Sequence, residues 1–123
     1  MNIALVTGAS SGMGRETIIQ LWEHFDGLDE NWAVARRKER LDELEGMVGV
    51  PIRKFPLDLT DREALQKLKE ALGTICPKVR FLVNAAGFGK IGNAGELSVT
   101  DQADMVRLNC EALTAVTTMV LPY

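Results

Sequence analysis

Three glycines near the amino terminus, Gly8, Gly12 and Gly14, separate a short apolar run, Ile3 to Val6, from a stretch in which Ile18, Leu21, Trp22 and Phe25 recur at helical spacing. Strand, glycine turn and helix in that order aim backbone N–H groups and a helix N-terminus at one point, which is the arrangement that binds a pyrophosphate. The spacing G-x-x-x-G-x-G gives each glycine a task. Gly8 allows a sharp reversal, Gly12 lets backbone approach phosphate, and Gly14 lets the helix pack close on the strand. Ser10, Ser11 and Met13 fill the turn and join the same candidate set. A glycine turn alone also joins strands to helices in domains that bind nothing. It is the strand before and the helix after that make this one a nucleotide-site signal.

A second chemical feature lies about 20 residues further on, where a dinucleotide fold places the group that reads the adenosine ribose. There the apolar run Trp32-Ala33-Val34-Ala35 ends in Arg36 and Arg37. An Asp or Glu would bond the ribose 2′-hydroxyl and repel a 2′-phosphate, whereas an arginine pairs with phosphate through two parallel hydrogen bonds. The alternative for Arg36-Arg37-Lys38-Glu39-Arg40 is a solvated helix start.

The loop Thr7-Gly8-Ala9-Ser10-Ser11-Gly12-Met13-Gly14 resembles the cofactor loop of the short-chain dehydrogenase/reductases, and Asn84-Ala85-Ala86-Gly87 resembles that family's second signature. The resemblance covers essentially all 123 residues and matches the amino-terminal half of such an enzyme. It implies hydride transfer between a nicotinamide and a carbonyl or alcohol. Small Ala35 followed by Arg36 is similar to the pattern of the NADP-preferring members, with NAD as the alternative. The resemblance also implies a place beside the adenine for Asp58, with the backbone of Leu59 helping; by its own chemistry Asp58 simply opens a loop. Asn84, Ala85, Ala86 and Gly87 would border the ribose and nicotinamide, where small residues let a cofactor approach the backbone. Asn109 would belong to the catalytic set, ordering a water in a proton relay. Periodicity alone makes it a core asparagine that must find hydrogen-bond partners.

The rest of the family's catalytic set is a serine, and a tyrosine whose pKa near 10 is shifted by a lysine four residues on. The one tyrosine here is Tyr123, the last residue, and Lys78 and Lys90 precede it and match no motif. The expectation is therefore an NADP-dependent oxidoreductase half, shortened in the gene, in production or by cleavage, and inactive alone. The competing reading is a stand-alone nucleotide-binding or protein-interaction module without catalysis.

The elements that must position these residues alternate as short apolar runs and amphipathic stretches. They predict one α/β domain, a doubly wound Rossmann-type parallel sheet of about four strands in order 3-2-1-4. Val50 to Leu57 carries two prolines, Pro51 and Pro56, which places strand three at the sheet edge. Leu41, Leu44 and Val48 mark the second helix, closed by Gly46 and Gly49. Thr60-Asp61-Arg62-Glu63 reads as a capping box, opening a helix through Ala64, Leu65, Leu68 and Leu72 that stops at Gly73. A glycine-rich loop from Phe88 to Leu97 leads to a last helix from about Thr100 to Leu121, with Met105, Leu108, Ala112, Leu113, Val116 and Val120 on its apolar face. That helix, or an open edge of strand four, predicts self-association, most simply as a two-fold dimer.

Composition narrows the setting. The chain is 46% hydrophobic, enough for a packed core, and no apolar run nears the ~20 residues that span a bilayer. No basic leader or cleavage site precedes the first strand, so a cytoplasmic setting is expected. Cys76 and Cys110 are expected to be buried thiols, and His24, the only histidine, receives no role. A net charge of −3 gives no nucleic-acid footprint.

Overall fold

The computed structural model describes residues 1–123. Its elements alternate: β1 (Asn2–Thr7), α1 (Gly12–His24), β2 (Glu30–Ala35), α2 (Lys38–Glu45), β3 (Ile52–Pro56), α3 (Arg62–Ile75), β4 (Lys78–Asn84) and α4 (Val99–Val106). A π-helical segment, Arg107–Ala112, then joins α4 to α5 (Leu113–Val120) without a break. All four strands are parallel, in the order β3-β2-β1-β4. The proline-bearing strand stands at the edge, where a missing N–H costs the ladder nothing.

Strand alternation sends successive side chains to opposite faces, and both faces are covered, as parallel sheets require. Ile3, Leu5, Trp32 and Val34 face Leu68 and Leu72 of α3 and Val116 and Val120 of α5. Val6, Ala33 and Ala35 face Ile18 of α1 and Leu41 and Leu44 of α2. Because the strands are parallel, their carboxyl ends share one side of the sheet. Gly8, Arg36, Asp58 and Ala85 each follow a strand, so topology alone gathers them there. Between β1 and β4 the strand order reverses, which is where such sheets open a crevice.

Several local expectations change. Asp61 is the cap of α3, accepting a hydrogen bond from the Glu63 N–H at 3.0 Å. The Thr60 hydroxyl bonds Asp58 instead, so the capping box does not form. α3 runs through Gly73 and stops at Cys76, which adopts φ 48° and donates its N–H to the Leu72 carbonyl. Gly73 fails as a stop because nothing obliges the chain to leave the helix there, while Pro77 forbids continuation four residues on. Both Cys76 and Cys110 are exposed, not buried. Trp22 is 46% exposed and lies over Gly49, where a Cβ would meet its ring at 2.6 Å. Leu113 is also exposed, because the wider turn of the π segment rotates the helix face that follows it.

Polar ties fix the outer strands. Glu30 accepts from the Trp32 indole at 2.7 Å and from Arg53 through two bonds of 2.9 Å, pinning β2 to β3. Lys54 of β3 holds Asp42 and Glu45 of α2, each at 2.7 Å. Lys38 and Lys54 beside Asp42 keep its carboxyl below the usual carboxylate range, and Lys90 together with Ser98 does the same for Asp101. The sign follows directly. A carboxylate with a lowered folded pKa adds stability that is present above about pH 4 and lost as pH falls through the folded value. Stability measured by urea denaturation should thus decline as pH drops below about 4; a flat profile down to pH ~2 would contradict these ties. Asn31, in contrast, is fully buried with neither amide atom partnered, a burden of about 1–3 kcal/mol if nothing meets it. No helix is long and apolar enough to cross a membrane.

Candidate nucleotide site

The glycine turn is built as its spacing predicts, with one addition. Gly8 has φ 66°, and a Cβ there would meet the Ala85 carbonyl and the Ala86 nitrogen at 2.6 Å. Gly8 therefore does more than reverse the chain: it is where the first signature packs against the second. A Cβ on Gly14 would run into the Gly8 carbonyl, so its close packing is real. Gly12, at φ 55°, faces open space with nothing within 4 Å. α1 starts at Gly12 behind an extended Ser11 whose hydroxyl makes no cap bond. The N–H groups of Gly12, Met13 and Gly14 accordingly have no hydrogen-bond partner in the chain, and all belong to the positive end of the helix.

The second signature is held from both sides. The buried Thr7 hydroxyl accepts the Ala86 N–H at 3.2 Å, and Asn84 Nδ2 donates to Thr117 Oγ1 at 3.0 Å, tying β4 to α5. Asn109 lies in the π segment, a helical irregularity common at functional sites. Its Oδ1 accepts the Phe88 N–H at 3.0 Å and its Nδ2 donates to the Phe88 carbonyl at 2.7 Å. The amide thus finds the partners its position demanded, on loop backbone and not in the core, and Asn109 is exposed. Gly87 passes beneath it, and a Cβ there would meet Oδ1 at 2.7 Å, so a side chain at this position would push the Asn109 amide aside.

The basic run divides in two. Lys38 pairs with Asp42 at 2.8 Å and Arg40 approaches Glu43 at 3.9 Å along α2. Arg36 and Arg37 form no ion pair, and both border the same cleft as the glycine turn. Asp58 accepts from the Thr60 hydroxyl at 2.7 Å and the Thr60 N–H at 3.0 Å. Those two bonds, and then the Arg36 charge, hold its carboxyl below the usual range. Asp58 thus shapes its loop, as its own chemistry suggests, and lines the cleft.

The cleft measures about 630 Å³ and brings together Gly8, Ser10, Ser11, Gly12, Met13, Arg36, Arg37, Asp58, Leu59, Ala85, Ala86 and Gly87. Gly14, Asn84 and Asn109 stand behind it as supports. Phe88, first residue of the glycine-rich loop whose composition suits the mouth of a site, also lines it, as do Thr60, Asp104 and Leu108, which were not legible in the sequence. For Asp104 and Leu108 the only available signal was their nearness to Asn109, five and one residues before it.

A family model of short chain dehydrogenases matches residues 2–123. The chain belongs to the short-chain dehydrogenase family. Among relatives of known activity, sulfoacetaldehyde reductase 2 of Chromohalobacter salexigens is 32% identical over 98% of this chain and 48% of its own length. The NADP-dependent 3-hydroxy acid dehydrogenase YdfG of Escherichia coli K12 is 33% identical over the same shares. A short-chain dehydrogenase from Sphingobium yanoikuyae, solved in complex with NADPH, superposes with a TM-score of 0.85 at 28% identity, covering 99% of this chain and 48% of that one. The chain thus spans about half the length of the short-chain dehydrogenases it matches.

Proposed function

We propose that these 123 residues form the cofactor-binding half of an NADP(H)-dependent short-chain oxidoreductase acting on a carbonyl or alcohol. The observation that carries this is the pair of cleft-lining arginines, Arg36 and Arg37, which form no salt bridge at the end of β2, although Asp58 lies within reach of the Arg36 charge, while Lys38 and Arg40 of the same run are paired. The geometry at Gly12 suits a nicotinamide dinucleotide. At Gly12 the cleft wall is bare backbone with open space in front, beside three N–H groups without partners. A pyrophosphate would be held there by those N–H groups and the helix end, and the 2′-phosphate by Arg36 with Arg37 beside it. Asp58 and Leu59 would border the adenine, and Ala85 to Gly87 the nicotinamide half. The bound dinucleotide supplies hydride chemistry. Asn109, through Phe88, keeps the loop that borders it in place.

Of the catalytic groups implied by the resemblance, these residues hold Asn109 alone. The 123-residue chain should therefore bind NADPH, read as a rise in thermal unfolding temperature with NADPH concentration. It should show no sustained NADPH consumption with aldehydes, ketones or 3-oxo acids. Turnover by material shown by mass to be this chain alone would refute the reading.

The same chain should self-associate. The expected stripe of the last helix is largely covered, with Ala112, Val116 and Val120 buried in the core, and the apolar surface left open is at Val106, Leu113 and, just beyond α5, Leu121, at 60%, 42% and 76%. β4 also has a sheet neighbour on one side only. Light scattering should report a dimer or larger at high micromolar concentration; a monomer with little dye binding to apolar surface would overturn the expectation.

A further inference from the structure

Asp104 and Leu108 stand one turn apart, so the helix formed by α4 and the π segment presents both of them to the nucleotide cleft. The adjoining face of that helix is spent on the loop after β4. There the Met105 sulfur accepts the Lys90 N–H at 3.3 Å and the Asn109 amide holds the backbone of Phe88. Leu108 is half-buried against the core cluster that contains Leu59, and Leu57 packs on the same cluster. Asp104 has no such employment. Its carboxylate accepts no hydrogen bond in the chain, and its one ion pair, with Arg107, is 3.9 Å long and largely exposed. A pair of that kind contributes little to stability, so it does not account for a carboxylate at the cleft.

The place of Asp104 along the cleft rests on the dinucleotide function proposed for it, which sets the order of the ligand's parts. The open N–H groups at Gly12 take the pyrophosphate, and Arg36 and Arg37 at the end of β2 take the 2′-phosphate. The base then lies beyond that ribose, on the β3 side. The cleft offers it the apolar side chains of Leu57, Leu59 and Leu108 and the carboxylates of Asp58 and Asp104. Thr60 donates its N–H and its hydroxyl to the same oxygen of Asp58, Oδ1, and Oδ2 is left without a partner in the chain. Ionised carboxylates only accept hydrogen bonds. Two of them beside an apolar slot favour a flat base that offers N–H donors, and they repel one that offers a carbonyl oxygen at the same point. Adenine carries an exocyclic amine with two N–H groups; hypoxanthine carries an oxygen there. We propose that Asp104 is a base-specificity residue of this cleft, accepting one N–H of the adenine amine while Asp58 serves the other side.

The test is calorimetric titration of the 123-residue chain with NADPH and with its hypoxanthine counterpart, which keeps the 2′-phosphate and replaces the amine by oxygen. The unsubstituted chain should prefer NADPH by about tenfold, the scale of one hydrogen bond to a charged group. Asp104→Asn should cut that preference to about threefold or less, because its amide can accept from an amine or donate to an oxygen. The preference for NADPH over NADH should not move, since the 2′-phosphate is held elsewhere. Equal binding of the two bases by the unsubstituted chain overturns the proposal, and so does a preference that Asp104→Asn leaves intact. Tighter NADPH binding by the variant also overturns it, marking the carboxylate as a charge that repels the phosphates. The variant removes no hydrogen bond of the chain and should keep its urea midpoint; a clear fall, or failure to fold, would assign Asp104 a structural role instead. If the unsubstituted chain prefers NADPH to NADH while these base comparisons fail, only the role of Asp104 is lost. If it binds no dinucleotide, the proposed function falls, and this inference with it.

Discussion

Gly8→Ala should cost the chain about 2–6 kcal/mol, combining left-handed backbone strain at an L residue with overpacking. Both causes act at one atom. The position has φ 66°, and the added Cβ would strike the backbone of Ala85 and Ala86 at 2.6 Å. Backbone of a sheet strand's exit cannot move aside as a flexible side chain can. A loss of this size is a large share of the total stability of about 5–15 kcal/mol typical of a domain. Gly12→Ala provides the contrast. Its φ of 55° brings the same strain, but nothing lies within 4 Å to be struck. That variant should stay folded with a loss of about 1–3 kcal/mol and lose its nucleotide affinity, because the new methyl group fills the approach to the open N–H groups. Urea denaturation separates the two, and equal destabilisation by both would show that the packing of the two signatures does not matter.

Arg36→Ala should weaken NADPH binding by about 1.5–3 kcal/mol, the scale of hydrogen bonds to a charged group, which is roughly a ten- to hundredfold rise in Kd. NADH, which lacks the 2′-phosphate, should bind the variant about as it binds the original chain. Lys38→Ala serves as the control, since that ammonium is already engaged by Asp42 at 2.8 Å and does not line the cleft. Calorimetric titrations showing the same loss for both dinucleotides would remove Arg36 as the discriminator.

The large features of this fold were legible because strong local signals agreed with one another. The buried runs of β1 and β2, the prolines of β3 and the glycine turn all point to the same sheet, and the order 3-2-1-4 follows. The site was legible where it is backbone. Gly8 and Gly14 stand where backbone leaves no room for a side chain, and Gly12 where the space in front of it is open. What escaped was contact across the chain. In the sequence Thr7 stands only as the first residue of the cofactor loop, yet it is the hydroxyl that receives the Ala86 N–H from 79 positions away. Asp58 offered no way to foresee that Thr60 would take its carboxylate rather than cap α3. The two cysteines were misjudged because composition speaks for an average thiol. Cys76 instead ends a helix in a left-handed turn, and Cys110 sits on the outer side of the π segment. That segment itself carries no sequence mark, and it set aside the regular face on which Leu113 was placed.

The central claim, that this cleft takes a dinucleotide bearing a 2′-phosphate, is most directly tested by calorimetric titration of the unsubstituted chain with NADPH and with NADH under identical conditions. The expected result is saturable binding of one NADPH per chain with at least about tenfold higher affinity than for NADH, a difference of about 1.4 kcal/mol. Binding that does not distinguish the two, or no binding of NADPH at all, would contradict it.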